Sequence, residues 1–188
     1  MTSYFSLTEF VSIFTCSFEV LVYIILVWSA TVPSKRIWPP PSGSSIKFWI
    51  TWLAIGLITL GLIHLAIADY NTWILTPISR IFLGLPIFLI GVWFVGWALL
   101  VMGSKNTLGI ENGLITHGPY QFSRNPQYVG DILILLGSIF MVNSVLFSVP
   151  ALLGIIGFWL MPLPEEKWMK ERYGESYTNY KNNISRFI

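Results

Sequence analysis

The densest chemistry in this chain lies in one short stretch, residues 117–131, HGPYQFSRNPQYVGD. It gathers His117, Arg124, two phenols (Tyr120 and Tyr128) and two prolines at the mouth of an apolar run. Pro126 suits the first turn of a helix, where its missing N–H is not needed. Asn125, just before it, is placed as the N-cap. Backbone donors and aromatic faces at a helix start can hold an anionic or aromatic ligand group. The same residues also fit a plainer role, a membrane-surface loop with a belt of tyrosines and an arginine on lipid phosphate. The residues by themselves leave both readings open.

A second polar cluster opens the tail, PLPEEKWMKERYGESYTNYKNNISRFI. Glu165 and Glu166 directly follow Pro164, which places both in the first turn of an amphipathic helix. Carboxylates there are favoured by the helix dipole; alternatively, one of them binds a cationic or hydroxyl-bearing ligand. Gly174 is expected to end that helix, with Tyr177 and Tyr180 on a short second one. Among the remaining polar residues, Glu9 sits near a span end and reaches water. Glu19 lies deep, as either a functional carboxylate or a protonated or paired one inside the bundle. His64 reads as an interfacial or packed histidine. Gly56, Gly61, Gly84, Gly91 and Gly96 read as close-packing positions between helices. The lone Cys16 can form no internal disulfide, and no metal-ligand spacing exists.

The elements that position these residues follow from composition. The chain is 54% hydrophobic and only 11% charged, against about a quarter charged in soluble domains. Apolar runs of roughly 20 residues recur, each long enough to span a bilayer. The fold class is therefore all-α and polytopic, and the net charge of +2 gives no reason to expect nucleic acid. Five spans are read, at about 7–32, 48–68, 81–102, 128–143 and 145–163. The last two form a tight hairpin turning at Asn143–Ser144, tolerable at membrane depth if protein covers its backbone. The first run is too long, and lacks the basic start, for a cleaved signal peptide. With five spans, Lys35, Arg36, Lys47, Lys105, Arg124, Lys167, Lys170, Arg172, Lys181 and Arg186 share one face and only Arg80 takes the other. Basic residues favour the cytosol, so the N-terminus is expected outside and the tail inside. Residues 32–45, VPSKRIWPPPSGSS, read as a stiff interfacial loop anchored by Trp38.

GPYQFSRNPQYVG, then a helical hairpin, then EE and YGESYTNY, resembles the isoprenylcysteine carboxyl methyltransferase family, with related patterns in the phospholipid methyltransferases. The match covers roughly residues 105–188, and the five-span plan looks most like an archaeal member. The resemblance implies an integral membrane enzyme that uses S-adenosylmethionine and releases S-adenosylhomocysteine. It implies two regions, three N-terminal spans at 1–102 and a catalytic region at 103–188 with its cofactor site facing the cytosol. Carried over, the cofactor contacts are Asn112, Gly113, Leu114, Ile115, His117, Gly118, Tyr120, Asn125, Pro126, Gln127, Tyr128 and Glu165. The cofactor offers an adenine face, ribose hydroxyls for a carboxylate and a sulfonium for aromatic or anionic neighbours.

Two departures bear on the acceptor. Asn125 stands where the prenylcysteine enzymes usually carry His. Met161 stands where they carry an arginine that helps hold the substrate carboxylate. The acceptor expected is thus a lipophilic small molecule, entering from the membrane lipids, whose reacting group is open: carboxyl, amine, thiol or hydroxyl. An amine or hydroxyl needs a base, for which His117 and Glu166 are the candidates; Arg124 and Arg186 are the cations available to a carboxylate. No metal is expected. Two other classes compete, a membrane reductase using a nicotinamide cofactor and a non-catalytic membrane scaffold. The sequence does not give an oligomeric state.

Overall fold

A computed structural model of the protein describes residues 6–110 and 112–188, and every regular element among them is helical. Helix α1 (Leu7–Thr31) opens on a capping box, in which Ser6 Oγ accepts from the Glu9 amide at 3.2 Å and the Glu9 carboxylate accepts from the Ser6 amide at 2.8 Å. Helix α2 (Ile46–Ala68) follows. Helix α3 (Pro77–Thr107) contains a π-helical stretch, Arg80–Gly84. Then come α4 (Pro126–Val142), α5 (Val145–Leu160) and α6 (Pro162–Asn183). By length and apolar composition α1, α2, α3 and the continuous run formed by α5 and α6 can each cross a membrane; α4, with 17 residues, is shorter. Their outward faces carry exposed Phe10, Leu53, Leu60, Phe82, Trp93 and Leu100.

Helices α3 and α4 meet backbone to backbone. A Cβ on Gly91 would lie 2.7 Å from the Gly130 carbonyl oxygen, and one on Gly137 would lie 2.8 Å from the Gly84 carbonyl oxygen. Small residues permit that approach where lipid supplies no hydrophobic drive. Gly61 is likewise pressed against Thr15. Gly56 and Gly96 are not close-packing positions: a Cβ on either meets nothing within 4 Å. Helix α2 leans on the rest through Leu62, Leu65 and Ala66, which pack with Phe147 and Ala151 of α5.

The α4–α5 hairpin turns where the sequence indicates. Asn143 is left-handed (φ 54°) and Ser144 caps α5 by accepting from the Phe147 amide at 3.0 Å. Both residues are fully buried. The loop after α2 covers the turn: the Asn71 amide donates to the Val142 carbonyl and the Trp73 amide to the Asn143 carbonyl, each at 2.9 Å. The Leu75 amide reaches Asn143 Oδ1 at 3.1 Å. Arg80 belongs to the same cover. It is 7% exposed, donates Nε to the Met141 carbonyl at 3.0 Å and lies 4.5 Å over the Tyr70 ring. The single basic residue of that face therefore satisfies a helix end, since an apolar medium leaves no free carbonyl unpunished.

The other ten Lys and Arg residues collect at the opposite end of the bundle, with the 32–45 loop, the start of α4 and α6. Here two expectations need correction, the place of Glu166 and that of Trp38, and one holds. Helix α6 starts at Pro162, so only Glu165 lies in its first turn. Gly174 is non-helical (φ 53°, ψ −122°) and ends the first segment of α6 as expected; a second segment follows to Asn183 and carries the buried Tyr177 and Tyr180. Trp38 is not an outward anchor but is 5% exposed, folded under α6.

Candidate functional site

Glu165 is the centre of the buried end. Trp38 Nε1 donates to its Oε1 at 2.6 Å, and the Tyr128 hydroxyl donates to the same oxygen. Oε2 has no partner among the described residues, so one oxygen is fixed and the other is offered. Burial pushes the Glu165 carboxyl up to about 7, with the two donors pulling back and the neighbouring Glu166 charge adding to the rise. Tyr128 is placed by α4, where it also packs against Phe158 of α5 at 5.7 Å between ring centres.

Glu166, next in sequence, is differently employed. Arg186 grips it through Nε at 2.6 Å and Nη2 at 3.0 Å; Lys181 Nζ lies at 2.8 Å and Arg124 Nη1 at 3.1 Å. Burial raises its carboxyl, but these hydrogen bonds and charges outweigh that and hold it below the ordinary value. The cluster ties the tail to the loop before α4. The Arg124 amide donates to the Ser185 carbonyl at 2.9 Å, and Ser123 Oγ donates to the Arg186 carbonyl at 3.2 Å. Asn125 occupies the N-cap position of α4, yet its side chain caps nothing: Nδ2 donates to the Arg186 carbonyl at 3.0 Å. The strap has drawn the carboxamide away from the helix.

The loop 112–118 lies over the end of α3. Asn106 holds it, accepting from the Asn112 amide at 2.8 Å and donating to the Gly113 carbonyl at 3.2 Å. Asn112 and Gly113 are exposed, and a Cβ at Gly113 (φ 95°) would meet nothing within 4 Å. Leu114 and Ile115 pack on a cluster of Ala98, Tyr120, Tyr177 and Tyr180. Gly118 (φ 63°) lets the chain pass Val101, whose Cγ2 would be 2.9 Å from an added Cβ. Tyr120 is 4% exposed, its ring enclosed and its hydroxyl buried without a partner, while its carbonyl accepts from the Tyr180 hydroxyl at 2.7 Å. Pro126 is buried and Gln127 half-buried. His117 is exposed and its side chain makes no hydrogen bond among the described residues.

The structure thus joins Tyr128 to Glu165 and Arg124 to Glu166, and sets Tyr120 beside Leu114 and Ile115; it leaves His117 apart. Sequence reasoning missed Trp38 as a partner of Glu165, because 127 positions separate them. It missed Asn106 and Ser123, which are ordinary polar residues in sequence.

These groups fit a nucleoside sulfonium. A half-buried carboxylate with one open oxygen suits ribose hydroxyls or a cation, the Gly113 loop leaves its backbone uncovered, and the Tyr120 hydroxyl awaits a partner. The sequence profile of a family described as phospholipid methyltransferase matches residues 79–176, more than half of the chain, from α3 into α6. No curated protein and no solved structure matches the chain. The reductase and scaffold readings gain nothing from these comparisons.

Proposed function

Because the chain belongs to the phospholipid methyltransferase family, and is thus an S-adenosylmethionine-dependent methyltransferase of the membrane, we propose that its cofactor sits at Glu165 and its acceptor comes from the bilayer. The observation that carries this is the Glu165 carboxylate, immobilised through one oxygen by Trp38 and Tyr128 and open at the other. S-Adenosylmethionine supplies an electrophilic methyl group on a sulfonium. Glu165 Oε2 binds its ribose or its positive charge, the 112–115 backbone and the Tyr120 hydroxyl take further polar groups, and Gly118, Pro126 and Gln127 shape the wall. The catalytic region comprises residues 103–188, with α3 as its backing.

Arg124 and Glu166 act here as positioning residues. Their ion pair, with Lys181 and Arg186, fixes α6 against α4 and so fixes Glu165. A carboxylate already held by three cations is a poor base, which leaves His117 as the exposed base candidate. Rate enhancement comes from alignment and from excluding water.

The acceptor is a lipophile that is not a carboxylate. Met161 stands at the α5–α6 junction, its amide bonded to the Gly157 carbonyl at 2.9 Å, and a thioether neutralises no acid. Arg124 and Arg186 are committed to Glu166. The tail end faces the cytosol of a cell membrane, in keeping with the ten-to-one basic asymmetry. The test is methyl transfer from labelled S-adenosylmethionine in membranes holding wild type or Glu165→Gln, followed by lipid extraction. Label should enter the lipid fraction with wild type and fall at least about tenfold with the variant. N-acetyl-farnesylcysteine should be methylated poorly. Efficient turnover of that acid, or label equal in both membranes, contradicts the reading.

A further inference from the structure

The end of the bundle that carries Glu165 holds a second concavity, between the 32–45 loop and α6. It has a volume of about 340 Å³, at the low end of the range for small-molecule sites, and is lined by Arg36, Pro40, Pro41, Trp168, Glu171 and Arg172. None of these residues belongs to the cofactor machinery described above.

Arg36 is held in place and still has donors to offer. Its Nε donates to the Pro39 carbonyl at 3.2 Å, its guanidinium lies 6.0 Å from the centre of the Trp168 ring, and its own carbonyl accepts from Lys47 Nζ at 2.7 Å. Neither Nη atom has a hydrogen-bond or ion-pair partner among the described residues. A guanidinium with both Nη groups open presents the planar fork that matches phosphate. Pro39, Pro40 and Pro41 follow in a row and stiffen the backbone behind it. Glu171 stands exposed on the rim, and Arg36, Arg172 and the nearby Lys47 outweigh it, so the cleft favours an anion.

The cleft lies at the level of lipid headgroups. Arg36 follows α1 and precedes α2, both long and apolar enough to cross a membrane, and exposed Trp28 and Trp49 lie in the helix turns on either side of the loop. Exposed indoles at span ends sit in the membrane–water interface. An apolar groove on α1, passing Val20, Ile24 and Val27, ends at Thr31, at this same end of the bundle, and gives an acyl chain a wall to lie on. Basic groups beside span ends attract acidic lipids. The phosphate presented there is therefore a lipid's.

We propose that the Arg36–Trp168 cleft binds the phosphate of an acidic phospholipid, at a site separate from the acceptor, and that this lipid strengthens cofactor binding. The headgroup clamps the loop to α6. Trp38 closely follows Arg36 in the loop, and Trp168 lies one helical turn beyond Glu165, so the clamp steadies both members of the Trp38–Glu165 hydrogen bond. The effect on the cofactor rests on the reading of Glu165 as its site; the lipid site does not.

The test reads lipid binding first, without cofactor. Purified full-length protein in non-ionic detergent is titrated with didecanoyl-phosphatidylglycerol, with didecanoyl-phosphatidylcholine and with inorganic phosphate. Wild type should bind the phosphatidylglycerol saturably and at least about tenfold more tightly than the phosphatidylcholine. Arg36→Gln should weaken that binding about tenfold, and Arg36→Lys, which keeps the charge, by less. Lys35→Gln removes the same charge from an exposed neighbour and should change affinity less than about twofold. Equal losses in Arg36→Gln and Lys35→Gln, or equal binding of the two lipids, would reduce the site to general surface charge and overturn it. Displacement of the lipid by an equal concentration of inorganic phosphate overturns the lipid as ligand. S-Adenosylmethionine is then titrated with each lipid present. Its affinity should rise about fivefold with phosphatidylglycerol in wild type and stay level in Arg36→Gln. A cofactor affinity indifferent to the bound lipid overturns the coupling. Absence of cofactor binding in every arm sinks the Glu165 reading instead, and the lipid titrations remain decisive for the cleft. Unfolding temperatures identify a misfolded Arg36→Gln, in which case the headgroup preference of wild type and its resistance to inorganic phosphate decide.

Discussion

Trp38 and Glu165 are joined by a 2.6 Å hydrogen bond from the indole Nε1 to the carboxylate Oε1 across 127 positions of sequence. The bond links the loop between α1 and α2 to the start of α6 and orients the carboxylate that the cofactor is proposed to use. Trp38→Phe keeps the ring and deletes the donor. We expect it to weaken S-adenosylmethionine binding by about 1–2 kcal/mol, the range for one charged hydrogen bond partly rescued by Tyr128. Calorimetric titration of wild type and variant checks this; unchanged affinity would mean that the bond only steadies the loop.

The raised carboxyl of Glu165 predicts a pH dependence. Burial lifts it to about 7, so in the free protein it is largely protonated below that value. That raised value also means its contribution to folding stability is full below its ordinary 4.5 and is lost as pH rises through about 7. A sulfonium favours the ionised form, so binding releases a proton. Affinity should therefore rise with pH up to about 7 and level off above it. Glu165→Gln should flatten the profile. Affinity that falls over this range in wild type would contradict the assignment.

Much of this arrangement was readable beforehand. The apolar runs gave the helices, and Asn143–Ser144 marked the hairpin because this adjacent polar pair breaks an apolar stretch too long for one span. Tyr128 and Glu165 were both singled out, and they meet. What could not be read was pairing at long range: Trp38 looked like an interfacial residue because nothing local says what an indole N–H will find. Asn125 misled for a related reason, since its capping position was visible but the Arg186 carbonyl that claims its amide was not. Arg80 looked like a loop charge, although the buried Met141 carbonyl holds it.

Glu166→Gln should destabilise the fold. It leaves Arg124, 9% exposed, without its carboxylate, while Lys181 and Arg186 at 44% and 36% regain water. The expected loss is about 2–3 kcal/mol, below the ~3–5 kcal/mol of a fully enclosed pair because two partners are partly solvated. Its depressed carboxyl means that this stability is present above the ordinary 4.5 and disappears as pH falls through the lower folded value. Thermal unfolding in detergent at pH 7 measures the loss, and a variant that melts with wild type would show the cluster to be ornamental.

Gly137 approaches the Phe88 amide nitrogen so closely that an added Cβ would lie 2.5 Å from it. Gly137→Val should force α3 and α4 apart and cost at least about 1–3 kcal/mol. Gly96→Ala, where a Cβ meets nothing within 4 Å, should be neutral. Equal unfolding temperatures for both variants would remove the case for a glycine-mediated interface.

Membrane orientation is accessible to labelling. With the ten basic residues of the cofactor end in the cytosol, an impermeant thiol reagent applied to intact cells should modify a cysteine introduced at Thr72 and spare one at Lys170. The reverse pattern would place the cofactor end outside and disqualify a cytosolic methyl donor.

The account turns on Glu165 holding S-adenosylmethionine, and equilibrium titration of that cofactor into purified wild type and Glu165→Gln tests it most directly. Saturable binding to wild type is predicted, weakened about tenfold or more in Glu165→Gln, with the unfolding temperature of the unliganded variant no lower than that of wild type. Equal affinity in the two proteins, or tighter binding of a nicotinamide dinucleotide by wild type, would contradict it.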